Sequence, residues 1–170
     1  MSWLNYAIPI LLLVLIIVAF FLLGRGSFRS FGVAQILIRV VVALPLLGSG
    51  IFLHFFRVHT TASIIPPGFP APVFLVLLTG VFEIAGAVGL FIASFRRAAA
   101  FWIAVMMVAI IPANVFVAGK VVDGIAMPGI AVRTAMQIVY VVLVLLAGYG
   151  VPRRSQVAND VAAKSVGEDV

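Results

Sequence analysis

The chain has 170 residues, of which 65% are hydrophobic and only 9% charged, with a net charge of +6 and a pI near 10.9. A water-soluble domain carries roughly 25% charged residues, so this composition excludes a soluble globular protein and indicates an integral membrane protein. The sequence contains no cysteine, which excludes disulfides, thiolate metal sites and intrinsic dithiol chemistry.

The first 24 residues carry no charge, and Leu11–Leu23 is apolar throughout. A secretory signal needs a basic start and a small-residue cleavage site; neither is present, so this segment is expected to be a retained spanning helix. Arg25 and Arg29 follow in a short basic turn, and residues 1–30 form the N-terminal unit. Phe31–Phe56 is the second span, with a kink expected at Pro45. Gln35, Arg39, Ala43, Leu46, Gly50 and His54 recur at helical spacing, so most of its polar and small residues share one stripe. Between Arg57 and Pro72 the run IIPPGFPAP forbids a regular helix and predicts a stiff, partly extended loop. Ala71–Phe95 and Ala98–Ala118 are the third and fourth spans, and a two-residue Arg96-Arg97 link makes them antiparallel. Gly119–Gly129 is a loop, Ile130–Gly150 the fifth span, and residues 151–170 a flexible polar tail. The expected fold is therefore all-α: a four-helix antiparallel transmembrane bundle over residues 31–150 plus one additional N-terminal transmembrane helix.

The basic residues lie scattered between apolar runs and form no stripe, so they are topology signals, and nucleic acid is not an expected partner. Arg25, Arg29, Arg96, Arg97, Arg153, Arg154 and Lys164 fall on one side of the five spans, against Arg57 and Lys120 on the other. The positive-inside rule then puts the N-terminus outside and the C-terminus in the cytoplasm.

Glu83 stands alone in the third apolar run, with Thr79, Gly80, Gly86 and Ala87 on its helical face. A carboxylate on a small-residue face belongs inside a bundle and not against lipid. Counting 1.5 Å per residue from the cytoplasmic ends puts Arg39 about 10 Å deep, Glu83 and Gln137 about 20 Å, Arg133 and Asn114 nearer 25 Å, and His54 beyond 30 Å. An unpaired charge at mid-depth costs at least ~3 kcal/mol, so Glu83 is either neutral or paired. Arg39 and Arg133 are both within reach, and the sequence does not choose between them. The carboxylate then serves either as a buried ion pair that fixes helix register or as a proton-accepting or ligand-anchoring group. His54 is either an interfacial side chain or a polar contact at the mouth of a pocket. Asn114, two residues after Pro112, can satisfy the carbonyls that the proline frees or line a pocket. Gln137 and Tyr140 hydrogen-bond across helices or, in the case of Gln137, line the same pocket. With two histidines, His54 and His59, no metal site is expected. No GxSxG, CxxC, HExxH, Walker or GxGxxG pattern occurs.

The segments GSGIFLHFFR, IIPPGFPAP, LTGVFEIAGAVGLFI, RRAAA and IIPANVFVAG together resemble the DoxX family of small bacterial membrane proteins, over about residues 32–150. The most specific parts are Gly80-x-x-Glu83-x-x-Gly86 and Pro112-Ala113-Asn114. The resemblance implies a membrane subunit or accessory of the bacterial cytoplasmic membrane that supports quinone-linked redox chemistry and is not catalytic on its own. Its ligand would be a bound quinone or lipid, with no intrinsic cofactor, and its partners the bilayer, other membrane subunits or a second copy. The added first span and the missing cysteines depart from the family, and the second departure argues against a thiol-handling role. On this basis Arg39, His54, Glu83, Asn114 and Gln137 are the expected ligand-binding residues, around one intramembrane polar pocket. The competing readings are an assembly subunit held by the extra helix, and a stand-alone binder of a lipophilic small molecule with a cavity between the second and third spans.

Overall fold

The computed structural model describes residues 3–24 and 28–152. Among them the chain is mostly helical: α1 (Leu4–Gly24), α2 (Val33–Gly48) running on into a π-helical segment (Ser49–Phe56), a short α3 (Val58–Ala62), α4 (Pro72–Gly89), α5 (Arg96–Ala109), α6 (Ile111–Val117) and α7 (Ile130–Tyr149). Four helices (α1, α2 with its π-helical extension, α4 and α7) are each long and apolar enough to cross a membrane, and α5 with α6 qualifies as a bent fifth. The outer surface is as apolar as the core, and a few polar side chains are buried within it. Leu11, Leu44, Phe56, Phe74, Trp102 and Met136 are exposed, while Gln35, Arg39, Glu83 and Gln137 are buried, as expected when the surrounding solvent is hydrocarbon.

Helix ends and breaks follow from local chemistry. Proline opens α4 at Pro72, where its missing N–H would have no intrahelical partner. Pro112 interrupts the fourth span, and α5 and α6 meet at Ile110 with a bend of 41°. The third span stops at Gly89, short of Phe95. Residues 90–95 form consecutive tight turns, with Phe91 N–H donating to the Val88 carbonyl and Ile92 N–H to that of Gly89. The expected two-residue Arg96-Arg97 link is thus a six-residue turn, and Arg96 and Arg97 are the first residues of α5.

Three helix contacts rest on small residues. A methyl group on Gly89 would stand 2.9 Å from the Ala99 Cβ, one on Gly86 2.7 Å from Ile103, and one on Gly148 would collide with Ala100. In this way α4 and α7 both close onto α5. α2 packs on α7 and α4, and the core runs through Val42, Leu46, Ala87, Ile103, Val144 and Leu145. Leu13 of α1 is fully buried in that same core, and α1 packs against α7, α6 and α5.

Two short antiparallel strand pairs were not anticipated. Phe28–Arg29 pairs antiparallel with Val151–Pro152, so the first two residues assigned to the flexible tail are strand; the rest of that tail, and Arg25 in the basic turn, lie outside the described residues. In the loop expected at Gly119–Gly129, Val121–Val122 pairs with Ile125–Ala126 across Asp123-Gly124, both at positive φ (49° and 77°). Asp-Gly is the dipeptide such a two-residue turn favours.

Candidate functional site

The site is built where the π-helical segment crosses α4 at two glycines. A methyl on Gly80 would run into the His54 Cβ and lie 3.2 Å from the Gly50 carbonyl oxygen. One on Gly50 would lie 2.9 Å from the Ile84 side chain and 3.3 Å from the Glu83 Cβ. The two backbones approach closely only because both positions lack a side chain. That approach sets Glu83, 7% exposed, directly against the π-helical segment.

Within the segment, hydrogen bonds reach five residues back; Arg57 N–H, for example, donates to the Phe52 carbonyl at 3.0 Å. The wider turn brings residues five apart together. Ser49 Oγ lies 2.6 Å from Glu83 Oε2, and His54 Nδ1 lies 3.3 Å from the same oxygen. Nδ1 also lies 3.0 Å from the Ser49 carbonyl. Two oxygen acceptors at Nδ1 assign its proton there. The Ser49 hydroxyl in turn stands 2.9 Å from the Pro45 carbonyl. It can donate to the carboxylate, or donate to Pro45 while accepting from a protonated Glu83. Oε2 of Glu83 thus has a partner whether it accepts from the Ser49 hydroxyl or donates to it.

The expected partners of Glu83 are engaged elsewhere, and this corrects the pairing. Arg39 is buried (9% exposed), and its Nε donates to the Ala147 carbonyl at 3.0 Å. Gln35 Nε2 donates to the Leu146 and Ala147 carbonyls. Both side chains thus cap the last turn of α7, adding to the Gly150 N–H at the Leu146 carbonyl and meeting the Ala147 carbonyl at the negative end of the helix. Arg133 donates through Nη2 to Asn114 Oδ1 and through Nη1 to the Met127 sulfur at 3.9 Å, while its buried Nε lacks a partner. Asn114 Oδ1 accepts from Arg133, and among the described residues its amide nitrogen makes no hydrogen bond to a carbonyl freed by Pro112. Gln137 meets that kind of demand, donating to the Met107 carbonyl beside the α5–α6 break at 2.8 Å. Tyr140 donates to the Val42 carbonyl at 2.7 Å.

Arg39, Asn114 and Gln137 thus have separate polar partners and do not join Glu83 in one polar pocket, while His54, placed by sequence at the far surface, is the basic group that meets Glu83. Depth counting assumed regular α-helix throughout, and both the π-helical segment and the open turns of residues 90–95 break that assumption. Ser49 escaped the sequence reading altogether. On a regular helix it sits roughly 140° from His54. Its only signal is its place between Gly48 and Gly50.

Residues 42–148, most of the chain, match the family described as Domain of unknown function (DUF8561). The chain belongs to the DUF8561 family. The matched region contains Ser49, His54, Glu83, Asn114 and Gln137, whereas α1, Gln35 and Arg39 precede it. No curated protein and no solved structure matches the chain.

Two cavities lie among the described residues near these helices. One of about 890 Å³ is an apolar groove between α4 and α5, lined by Leu78, Phe82, Gly86, Trp102 and Met106 among others. It lies between the third and fourth spans, where the expectation had been the second and third. The other, of about 390 Å³, is polar and gathers Arg39, Arg96 and Arg97.

Proposed function

We propose that the protein is a multi-pass membrane protein of the bacterial cytoplasmic membrane that serves quinone-linked redox chemistry as a subunit or accessory, and is not an enzyme by itself. In this reading α2 with its π-helical extension, α4, α5–α6 and α7 form a four-helix antiparallel bundle, α1 is a fifth span, and the N-terminus lies outside. Two contacts support that arrangement. Arg57 Nη2 lies 3.9 Å from Asp123 Oδ2, which joins the loops assigned to the outer side. Phe28–Arg29 pairs with Val151–Pro152 at the side assigned to the cytoplasm. The resemblance to DoxX-type proteins agrees with this reading.

The observation that carries the functional part is the convergence of Ser49 and His54 on a single oxygen of Glu83. Among the described residues, Glu83 Oε1 and His54 Nε2 then have no protein partner. Oε1 is an acceptor for a ligand hydroxyl, while Nε2 accepts a proton in the neutral ring, whose own proton is on Nδ1, and donates to a ligand carbonyl once the ring is charged. An eight-residue π-helical segment (Ser49–Phe56) supports a functional site as well, since such turns cost regular hydrogen bonding and recur at functional positions. A quinone, when bound, supplies two-electron, two-proton chemistry, with the electrons coming from a redox partner. His54 holds or yields a proton at Nε2, Glu83 balances the imidazolium, and Ser49 fixes the carboxylate.

The test is to purify the wild type, Glu83→Gln and His54→Gln in mild detergent, then measure co-purifying quinone and partner redox activity. Glu83→Gln keeps a hydrogen-bonding partner for Ser49, so the expected loss of quinone and activity should come without loss of fold. Unchanged quinone occupancy and activity in both variants would overturn the reading.

One observation favours an assembly role instead. The outward face of α1 presents the exposed side chains of Leu11, Leu15, Val18 and Leu22. Tryptophan at Leu15 and Val18 should dissociate a complex built on that face while leaving the fold intact; retention in the complex counts against it.

A further inference from the structure

The cavity of about 390 Å³ is lined by Arg39, Arg96, Arg97, Gln35, Ser30 and Tyr149 among others, and by no carboxylate among the described residues. The described residues contain only two acidic side chains. Glu83 is engaged by Ser49 and His54, and Asp123 faces Arg57. Arg39 and Arg96 are each held through Nε, the first by the Ala147 carbonyl at 3.0 Å and the second by the Leu90 carbonyl at 3.2 Å. Their Nη groups have no protein acceptor among the described residues. Guanidinium groups fixed in this way present paired N–H donors suited to the oxygens of a phosphate. Helix α5 starts at Arg96, so the positive end of its backbone dipole lies at the cavity wall. Like charges gathered in a partly dry cavity repel unless an anion joins them.

The apolar groove begins on the other side of the same turn. Ala93, Arg96 and Arg97 line the polar cavity, while Ile92, Phe95 and Ala98 line the groove of about 890 Å³. A charged cavity at the end of apolar helices, beside a long apolar groove, matches an amphiphile in both parts. We propose that this cavity binds the phosphate headgroup of an anionic membrane lipid, whose chains lie in the groove between α4 and α5. The proposal uses neither Glu83 nor His54 and stands independently of the quinone reading.

The test uses the full chain in nanodiscs of mixed phosphatidylglycerol and phosphatidylcholine, with the lipids retained after mild detergent extraction counted by native mass spectrometry. The wild type should retain phosphatidylglycerol selectively. Arg97→Gln, which removes no hydrogen bond seen among the described residues, should lower that selectivity roughly fivefold. Arg39→Lys should lower it while keeping the charge, because the fork is lost. Ala98→Phe should lower retention by filling the groove, and Arg57→Gln, at the far end of the helices, should change nothing. Equal retention of the two lipids by the wild type overturns the proposal, as does an equal loss in Arg57→Gln. Displacement of the lipid by millimolar inorganic phosphate, with Ala98→Phe silent, also overturns it and assigns the cavity to a soluble anion.

Discussion

Ser49 and His54 are five positions apart, yet the His54 Nδ1 lies 3.0 Å from the Ser49 carbonyl and both side chains reach the same oxygen of Glu83. The relationship exists only because the helix is π-helical there. A one-residue return to α-helical spacing would swing one of the two away from the carboxylate.

The Ser49–Glu83 contact should therefore be strongly coupled. Ser49→Ala removes the shortest bond to a buried carboxylate and should cost about 1–3 kcal/mol. In a Glu83→Gln background the same change should cost less than about 1 kcal/mol, since a neutral amide needs the hydroxyl less. Reversible unfolding in mixed micelles measures both, and equal costs in the two backgrounds would argue that the bond is incidental.

Glycine is required at one helix crossing and dispensable just beside it. Gly80→Ala pushes a methyl into the His54 Cβ and toward the Gly50 carbonyl. Neither can swing aside, so overpacking should cost about 1–3 kcal/mol. Gly48→Ala has nothing within 4 Å of the new carbon and should be neutral or stabilise by up to about 1 kcal/mol. Thermal unfolding of the two variants in detergent distinguishes them.

Gln137 should matter for the α5–α6 bend. Gln137→Leu keeps the volume but leaves the Met107 carbonyl without the donor that meets it at 2.8 Å. A cost of about 1–3 kcal/mol is expected, together with faster amide exchange at residues 107–111. Wild-type exchange in that stretch would show that the bend satisfies itself.

The first helix should behave as core on one face and as lipid contact on the other. Leu13 is fully buried among α1's neighbours, whereas Leu12 is exposed. Leu13→Ala should cost about 2 kcal/mol or more, and Leu12→Ala less than about 0.5 kcal/mol. Similar small effects at both positions would make α1 a peripheral attachment.

Much of the architecture was legible because its causes are local. The apolar runs announce helices able to cross hydrocarbon, Pro112 announces the broken fourth span, and the stripe from Gln35 to Gly50 is the buried face of α2. The hairpin at Asp123-Gly124 has an equally local cause, since Asp-Gly favours a two-residue turn with positive φ at both positions. The end of the third span was not legible, because residues 90–95 are as apolar as a helix interior and depart from it only in backbone conformation.

By itself, the sequence determined the membrane-type helices and the need for shelter around Glu83, since hydrocarbon penalises exposed peptide groups and lone charges wherever they lie along a helix. Only the tertiary structure decided who meets that acid. Arg39 is held at the end of α7 and Arg133 beside Asn114, and a π-helical turn resting on Gly80 delivers Ser49 and His54 instead. Helix periodicity cannot reveal this, because the turn width and the close approach are properties of two helices packed together.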